Sequence, residues 1–353
     1  MNAIVVVPAY EPDERLVAFV RELGKQRLSR VIVVDDGSGE RFRPVFAALE
    51  DFPYCVTLIH GKNRGKGAAL KTAYDYIWKN FDKSVVVVTA DADGQHTPGG
   101  CRRIAETAAE NEGALILGVR NFAKAGTPFR SRLGNRWSTL IFGLVHGRWI
   151  ADTQTGLRAF SSALLPFMIS VKGDRYEYEM GVLMAAARKG LQFVTMPIRT
   201  IYEEGNASSH FSPLKDSLRI NFLVLKDFLR FAGVSILSFV LDQGLAWAFA
   251  AMMAAANIPE NAMIWCSGFS ARVLSAGFNF AMNRVFVFGH GGKASASAWR
   301  YAILCVSVII LSNAGVMLLV ALDMPRGLSK FLCDTFLYFA GYRIQARWVF
   351  SVN

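Results

Sequence analysis

The chain has 353 residues, 52% of them apolar, and a formal net charge of +11. That length accommodates two domains, and so large an apolar share is high for a purely soluble enzyme. The positive charge forms no Lys/Arg run and no aromatic-interleaved basic stretch, which excludes a nucleic-acid partner and favours anionic lipid headgroups or phosphate-bearing substrates.

The apolar character is unevenly placed. Residues 231–353 hold eight Lys/Arg and four Asp/Glu, against 31 and 24 before them. The first region therefore reads as an ordinary folded domain and the second as a membrane region. Five cysteines, Cys55, Cys101, Cys266, Cys305 and Cys333, are scattered without a CxxC and read as reduced, structural thiols. At the N-terminus "IVVVP" is only strand-length and follows no basic leader, so the first domain is expected to stay in the cytoplasm.

In chain order, "AIVVVPAY" predicts a strand ending at Pro8, followed by a polar helix over about 12–26. "RVIVVDDGS" predicts a second strand ending in Asp35 and Asp36, and "VTLIH" a short third one. "GKNRGKGAALKTAYDYI" is a glycine turn opening a helix, with Ala69, Ala73, Tyr76 and Ile77 expected to share one face. It lacks the Walker spacing and the Ser/Thr after lysine, and no GxGxxG follows the first strand. Next come "SVVVVTADADGQH", a helix over about 98–111, and the strand "GALILGVR". Strands alternating with helices at this pitch argue for a parallel sheet with crossover helices. Open sheets of that kind bind ligands at the C-terminal edge of the strands, where Tyr10, Glu11, Asp35, Asp36, Asp91, Asp93 and Arg120 all fall. Two aspartates one residue apart before Gly94 can converge on one cation.

"VVVPAYEP", "VIVVDDGS", "NRGKGAAL" and "TADADGQH", in this order, resemble the family 2 glycosyltransferases of the GT-A fold, and among them the dolichyl- and polyprenyl-phosphate glycosyl synthases. The resemblance covers about residues 1–225. It implies a Rossmann-like α/β catalytic domain with a mostly parallel sheet. It also implies a nucleotide pocket of Pro8, Tyr10, Glu11, Asp35, Asp36, Lys66, Asp91 and Ala92, with Asp35 or Asp36 on base or ribose. Asp91, Asp93 and Gln95 are implied ligands of Mg²⁺ or Mn²⁺, hard oxygen donors suited to a cation that neutralises a leaving diphosphate. His96, beside them, is read as packing at the turn and not as a fourth ligand. Glu11 and Pro12 depart from the family's "PAYNE".

"PFRSRLGNRWSTLIFGLVHG" places arginines beside a helix whose Leu133, Trp137, Leu140, Ile141 and Leu144 fit one face, as a membrane-surface helix requires. The resemblance assigns the acceptor phosphate to Arg120 and Arg132, which with Asp93 form the implied catalytic group. A lipid phosphate is already an anionic nucleophile and needs no general base, consistent with a sequence in which no His–Asp dyad is apparent. "ADTQTGLRAFS" resembles the family's D-x-Q-x-G-x-R stretch, so Asp152 and Gln154, with Asn135 and Glu179, are expected around sugar and acceptor. For Glu179, a helix N-terminal cap is an equal alternative. In the loop after the strand expected to end at Tyr202, Ser209 and His210 are weak candidates for phosphate contact.

From Pro213 to Arg230 apolar residues recur at helical spacing between Lys215, Arg219, Lys226 and Arg230, predicting an interfacial helix. Four spans are predicted at about 231–254, 262–283, 301–322 and 328–349, each long enough to cross about 30 Å of hydrocarbon. The expected domains are thus 1–212, 213–230 and 231–353, the last an all-α four-helix transmembrane domain. Asp242, Arg272 and Asp334 inside the spans are expected to face one another or a polar cavity. The three Lys/Arg of 284–300 place that loop and both termini in the cytoplasm, with Arg326 and Lys330 dissenting weakly. "NFAMNRVFVF" and "GYRIQARWVF" close two spans alike and hint at a repeat. The four-span unit resembles the GtrA-like membrane domain.

The expectation is a multi-pass inner-membrane enzyme that moves a hexose from a UDP-glucose- or GDP-mannose-class donor to polyprenyl (undecaprenyl) phosphate with inversion. A processive polysaccharide synthase is disfavoured because Q-x-x-R-W is missing; "QARW" at Gln345 has the wrong spacing. A flippase with a nucleotide-sugar-binding module is the alternative from another class. The sugar and any homo-oligomer are left open.

Overall fold

The computed structural model describes residues 2–120, 129–198, 213–289 and 293–350; side chains of 129–133 and 213–221 fall outside the description. The chain divides into two compact units, Met1–Leu223 and Val224–Asn353.

The first unit contains β1 (Ala3–Ala9), α1 (Glu14–Gly24), β2 (Arg30–Asp35), α2 (Arg43–Ala47), β3 (Cys55–Ile59), α3 (Lys66–Asn80) and β4 (Val86–Thr89). It continues with α4 (Pro98–Glu110), β5 (Leu115–Arg120), α5 (Phe129–His146), β6 (Arg158–Ser161), α6 (Leu165–Ser170), α7 (Glu177–Lys189) and β7 (Phe193–Ile198). The described strands form one sheet in the order β3-β2-β1-β4-β6-β5-β7. It is mixed but mostly parallel, as a GT-A-like domain requires: β6 alone runs against its neighbours β4 and β5.

Helices on both faces explain the uniformly apolar strands. Ile4–Val7, Val31–Val34 and Val86–Val88 are all buried, each side chain contributing about 1.5–3 kcal/mol of transfer free energy. Asp13 caps α1 by accepting the backbone N–H of Arg15, and Thr97 caps α4 ahead of Pro98, whose missing N–H costs nothing there. On α3 the buried face is Ala69, Leu70, Ala73, Tyr74 and Ile77. Of the expected face, Tyr76 is only half-buried, and Tyr74 points inward, its ring meeting Phe160 edge-on at 5.5 Å. On α5 the expected apolar face is split: Ile141 is buried, whereas Trp137 (57%) and Leu140 (39%) are exposed. Phe142 and Val145 are buried instead, because the inward face also carries Asn135 and Ser138. Residues 199–202, the expected end of β7, lie outside the described residues.

α8 (Pro213–Ala255) runs without a break at 230 and into the second unit, where α9 (Glu260–Met282), α10 (Ala294–Ala321) and α11 (Arg326–Ile344) follow. α10 is, among the described residues, the one helix long and apolar enough to cross a membrane. α9 and α11 each end in a π-helical turn, Asn283–Val287 and Gln345–Val349.

Within the second unit the two successive hairpins correspond, the first being four residues longer on each side of its turn. Asn257 (φ 56°) and Asp323 (φ 60°) turn the chain two residues before Pro259 and Pro325, which lead into α9 and α11. The Arg230 guanidinium lies 5.3 Å from the Phe286 ring, and Arg300 Nη1 donates to the Trp348 carbonyl at 2.8 Å. Phe286 and Trp348 hold the same place in their π turns. Twelve residues beyond those arginines stand Asp242 and Ser312; eleven before the turns stand Arg272 and Asp334. Asp242 pairs with Arg272 at 3.3 Å, and Ser312 donates to Asp334 at 2.7 Å. The equivalent Asn283 and Gln345 meet directly, as do the stacked rings of Phe288 and Phe350 at 5.1 Å. The unit is thus a pair of like hairpins in parallel order.

Candidate active site

The C-terminal edge of β1, β2 and β4 gathers the polar residues of the first unit, and the reversed β6 adds to it. Because Thr89 at the end of β4 pairs with Arg158 at the start of β6, the Asp152–Gly156 segment arrives at the same edge. Thr89 Oγ1 donates to the Gly156 carbonyl at 2.8 Å and fixes that approach.

Lys66, the first residue of α3, bridges two carboxylates. Its Nζ lies 2.6 Å from Asp91 Oδ1 and 2.9 Å from Glu179 Oε2. Burial opposes a charged ammonium, but the charges of Asp91 and Glu179 outweigh it and raise the Lys66 pKa. Glu179 is thereby an ion-pair partner and not a helix cap; Glu177, at the start of α7, accepts the N–H groups of Asp174 and Arg175. Gly67 lets α3 approach α7 this closely, since a β-carbon there would stand 2.5 Å from Tyr178 Cβ.

Asp91 accepts on its other oxygen too: His96 Nε2 stands 3.1 Å from Oδ2. Burial would raise the Asp91 carboxyl, yet Lys66 and then His96 hold it well below the usual carboxylate range. Asp93 differs. Burial and the charge of Asp91 raise its pKa, outweighing the Gln95 N–H that its carboxylate accepts at 3.1 Å and the more distant charges of His96 and Lys66. This is a donor set that fits a hard divalent cation, which would relieve the repulsion between the two carboxylates. Among the described residues no group of three or more His, Cys, Asp or Glu could hold a metal, so a cation on Asp91, Asp93 and Gln95 would complete its shell with ligand oxygens.

Arg120, at the end of β5, forms a bidentate pair with the wholly buried Asp152: Nε to Oδ2 at 2.6 Å and Nη2 to Oδ1 at 3.0 Å. Asp152 also accepts the Gln154 N–H, which ties that loop to the arginine. Asn135 Nδ2 donates to the Ala151 carbonyl at 2.6 Å, while its buried Oδ1 has no partner among the described residues. Arg132 lies in α5, but its side chain, like Ser209 and His210, lies outside the described residues.

Of the residues expected at the nucleotide, Pro8 is in β1, Tyr10 is partly exposed and Glu11 takes a positive φ of 50° while its N–H donates to Ser38 Oγ. A hydrogen bond with Glu11 and burial raise the Tyr10 pKa. Asp35 Oδ1 accepts the Ser38 N–H. Asp36 turns inward: it accepts the N–H groups of Arg64 and Gly65 and lies 2.7 Å from His60 Nδ1. Both its oxygens are therefore spent on the loop leading to α3. Two His–Asp contacts thus exist that the sequence did not disclose, His60–Asp36 and His96–Asp91. His60 is no general base, because it is buried and its Nε2 is engaged by Thr72 Oγ1.

Comparison with known proteins shows the family. The sequence profile described as glycosyl transferase family 2 matches residues 4–165. An uncharacterised protein of Methanocaldococcus jannaschii is 32% identical over 208 residues, 58% of this chain and 83% of that one. The chain belongs to glycosyl transferase family 2. Two further relatives of this glycosyltransferase are 28% identical. One is the UDP-N-acetylglucosamine–dolichyl-phosphate N-acetylglucosaminyltransferase of Methanococcus voltae, matched over 57% of this chain and 86% of that one. The other is the polyprenol monophosphomannose synthase of Mycolicibacterium smegmatis, matched over 56% and 76%.

Proposed function

We propose that this glycosyltransferase moves a hexose from a UDP- or GDP-sugar to polyprenyl (undecaprenyl) phosphate at the cytoplasmic face of the membrane, with inversion and with Mg²⁺ or Mn²⁺. The observation that carries this reading is the meeting, on one sheet edge, of the Lys66–Asp91–Glu179 cluster with Asp93 and, on the same edge, the Arg120–Asp152 pair. The names of the relatives support a polyprenyl-phosphate acceptor.

Asp91, Asp93 and Gln95 would hold the cation, which supplies positive charge to the departing nucleoside diphosphate. Tyr10, Glu11 and Asp35 line the nucleotide side, and Lys66 faces the phosphates. Arg120, held in one orientation by Asp152, is set to orient the acceptor phosphate, with Arg132 as its expected companion. The phosphate oxygen attacks the anomeric carbon as the bond to the diphosphate breaks, so no protein base is required. Asn135 Oδ1 offers an acceptor to a sugar hydroxyl.

Residues 1–212 would carry the chemistry, 213–230 lie at the interface and 231–353 cross the membrane four times with both termini cytoplasmic. The test is an assay of detergent-solubilised enzyme with undecaprenyl phosphate and a panel of labelled UDP- and GDP-sugars. Label enters the organic phase from one donor, is lost with EDTA and is lost in Asp93→Ala. A folded, nucleotide-binding enzyme that transfers from no donor overturns the acceptor assignment.

A further inference from the structure

We propose that Lys66 stands in for the divalent cation at Asp91 in the ligand-free enzyme and releases that carboxylate when the cation arrives with a nucleoside diphosphate. The inference rests on the metal reading above and adds an order of events to it. One ammonium satisfies Asp91 and Glu179 together, at 2.6 and 2.9 Å. Asp91 is fixed from its other side by His96 Nε2 and by Gly156, whose Cα leaves no room for a β-carbon beside Oδ2. The carboxylate therefore cannot turn to seek a second cation. The lysine can move, because a flexible four-carbon stem carries its charge.

A divalent cation on Asp91 Oδ1 would meet the ammonium head-on, and two cations that close repel strongly in a partly buried site. Asp91, Asp93 and Gln95 together also fall short of the roughly six oxygens such a cation takes. A diphosphate resolves both difficulties: it supplies oxygen ligands, and it gives Lys66 an anion to pair with while Glu179 keeps the charge in place. Docking of α3 on α7 does not depend on Lys66, since the Ala68 N–H donates to the Asp174 carbonyl at 2.9 Å and Gly67 packs on Tyr178. The ion pair is free to serve as an exchangeable one.

The experiment measures Mn²⁺ binding to the full-length, detergent-solubilised enzyme by the loss of the free-ion electron paramagnetic resonance signal, alone and with UDP or GDP. Wild type is expected to bind Mn²⁺ weakly alone and roughly tenfold or more tightly with the accepted nucleotide, inside the usual range of coupled sites. Lys66→Met should bind Mn²⁺ without nucleotide about tenfold more tightly than wild type. Glu179→Gln, which leaves Asp91 as the sole anchor of Lys66, should bind it more weakly than wild type. Lys71→Met removes the same charge from α3 without touching Asp91, since Lys71 pairs with Asp174, and should leave Mn²⁺ affinity unchanged; a gain equal to that of Lys66→Met would be a field effect and would overturn the stand-in role. If wild type takes up Mn²⁺ with nucleotide while Lys66→Met binds no tighter alone, the stand-in role is overturned and the metal reading survives. Should Lys66→Met fail to fold, tighter or unchanged binding by Glu179→Gln overturns it equally. No Mn²⁺ uptake by wild type with either nucleotide overturns both.

Discussion

Gly156 and Asp91 are packed so closely that a β-carbon on the glycine would overlap the aspartate's carboxylate. The two residues flank different strands, Asp91 just past β4 and Gly156 just before β6, and the Thr89 hydroxyl ties the two segments together through the Gly156 carbonyl. The absence of a side chain at 156 is thus a requirement of the carboxylate's position. It is independent of backbone conformation, since Gly156 is not among the glycines with positive φ.

Gly156→Ala should therefore act on catalysis before it acts on the fold. The added methyl displaces Asp91 by a fraction of its own size, and misplacement on the scale of 1 Å costs roughly a hundredfold in rate. Overpacking of this kind destabilises by about 1–3 kcal/mol. Comparing kcat with the urea unfolding midpoint separates the two; an alanine variant with unimpaired kcat would show that Asp91 can shift without consequence.

The two aspartates of "VDDGS" should separate in the same way. Asp36 is 3% exposed and accepts two backbone N–H groups as well as facing the His60 ring. Asp36→Ala leaves the Gly65 N–H and the His60 ring buried and unpaired, and frees the part-buried Arg64 N–H, a loss of about 3 kcal/mol or more. Asp35→Ala loses one bond, to the Ser38 N–H, and should cost about 1 kcal/mol while weakening nucleotide binding. Chemical denaturation of both variants, with nucleotide titrations at a temperature where each is folded, decides it. Equal destabilisation would place both residues in the loop scaffold.

Most of this edge was legible because strand ends are local in sequence: a valine run stops, carboxylates follow, and alternation of strands and helices puts the stops together. What was not legible depends on partners far apart in the chain. Lys66 and Glu179 are separated by 113 residues and adjoin only because α3 and α7 pack together. The inward turn of Asp36 is set by His60 and by the loop before α3, which a pair of identical letters cannot distinguish from Asp35. The reversal of β6 is not legible because alternation along a strand carries no direction, and "RAFS", at four residues, is too short even to mark a strand by its period. The fit of Gly156 is a packing fact that no motif encodes.

The second unit supplies the remaining test. Asn283 and Gln345 occupy the first position of equivalent π turns and bond to each other at 3.3 Å, so they mark where the two hairpins meet. Asn283 Nδ2 is also 2.7 Å from Asn279 Oδ1, which in turn accepts the Tyr301 hydroxyl, and Asn279 Nδ2 donates to Ser238. The network thus ties all four helices of the unit through side chains. On the four-span reading proposed above, such polar bonds are individually modest, averaging about 0.6 kcal/mol in double-mutant cycles. Asn283→Ala should cost more than Gln345→Ala, because it breaks two bonds where the other breaks one. Their coupling energy in a cycle should be about 0.6 kcal/mol, measured by unfolding of the detergent-solubilised protein. Strict additivity of the two substitutions would mean that the hairpins meet elsewhere, through the Phe288–Phe350 stack and the apolar contacts around it.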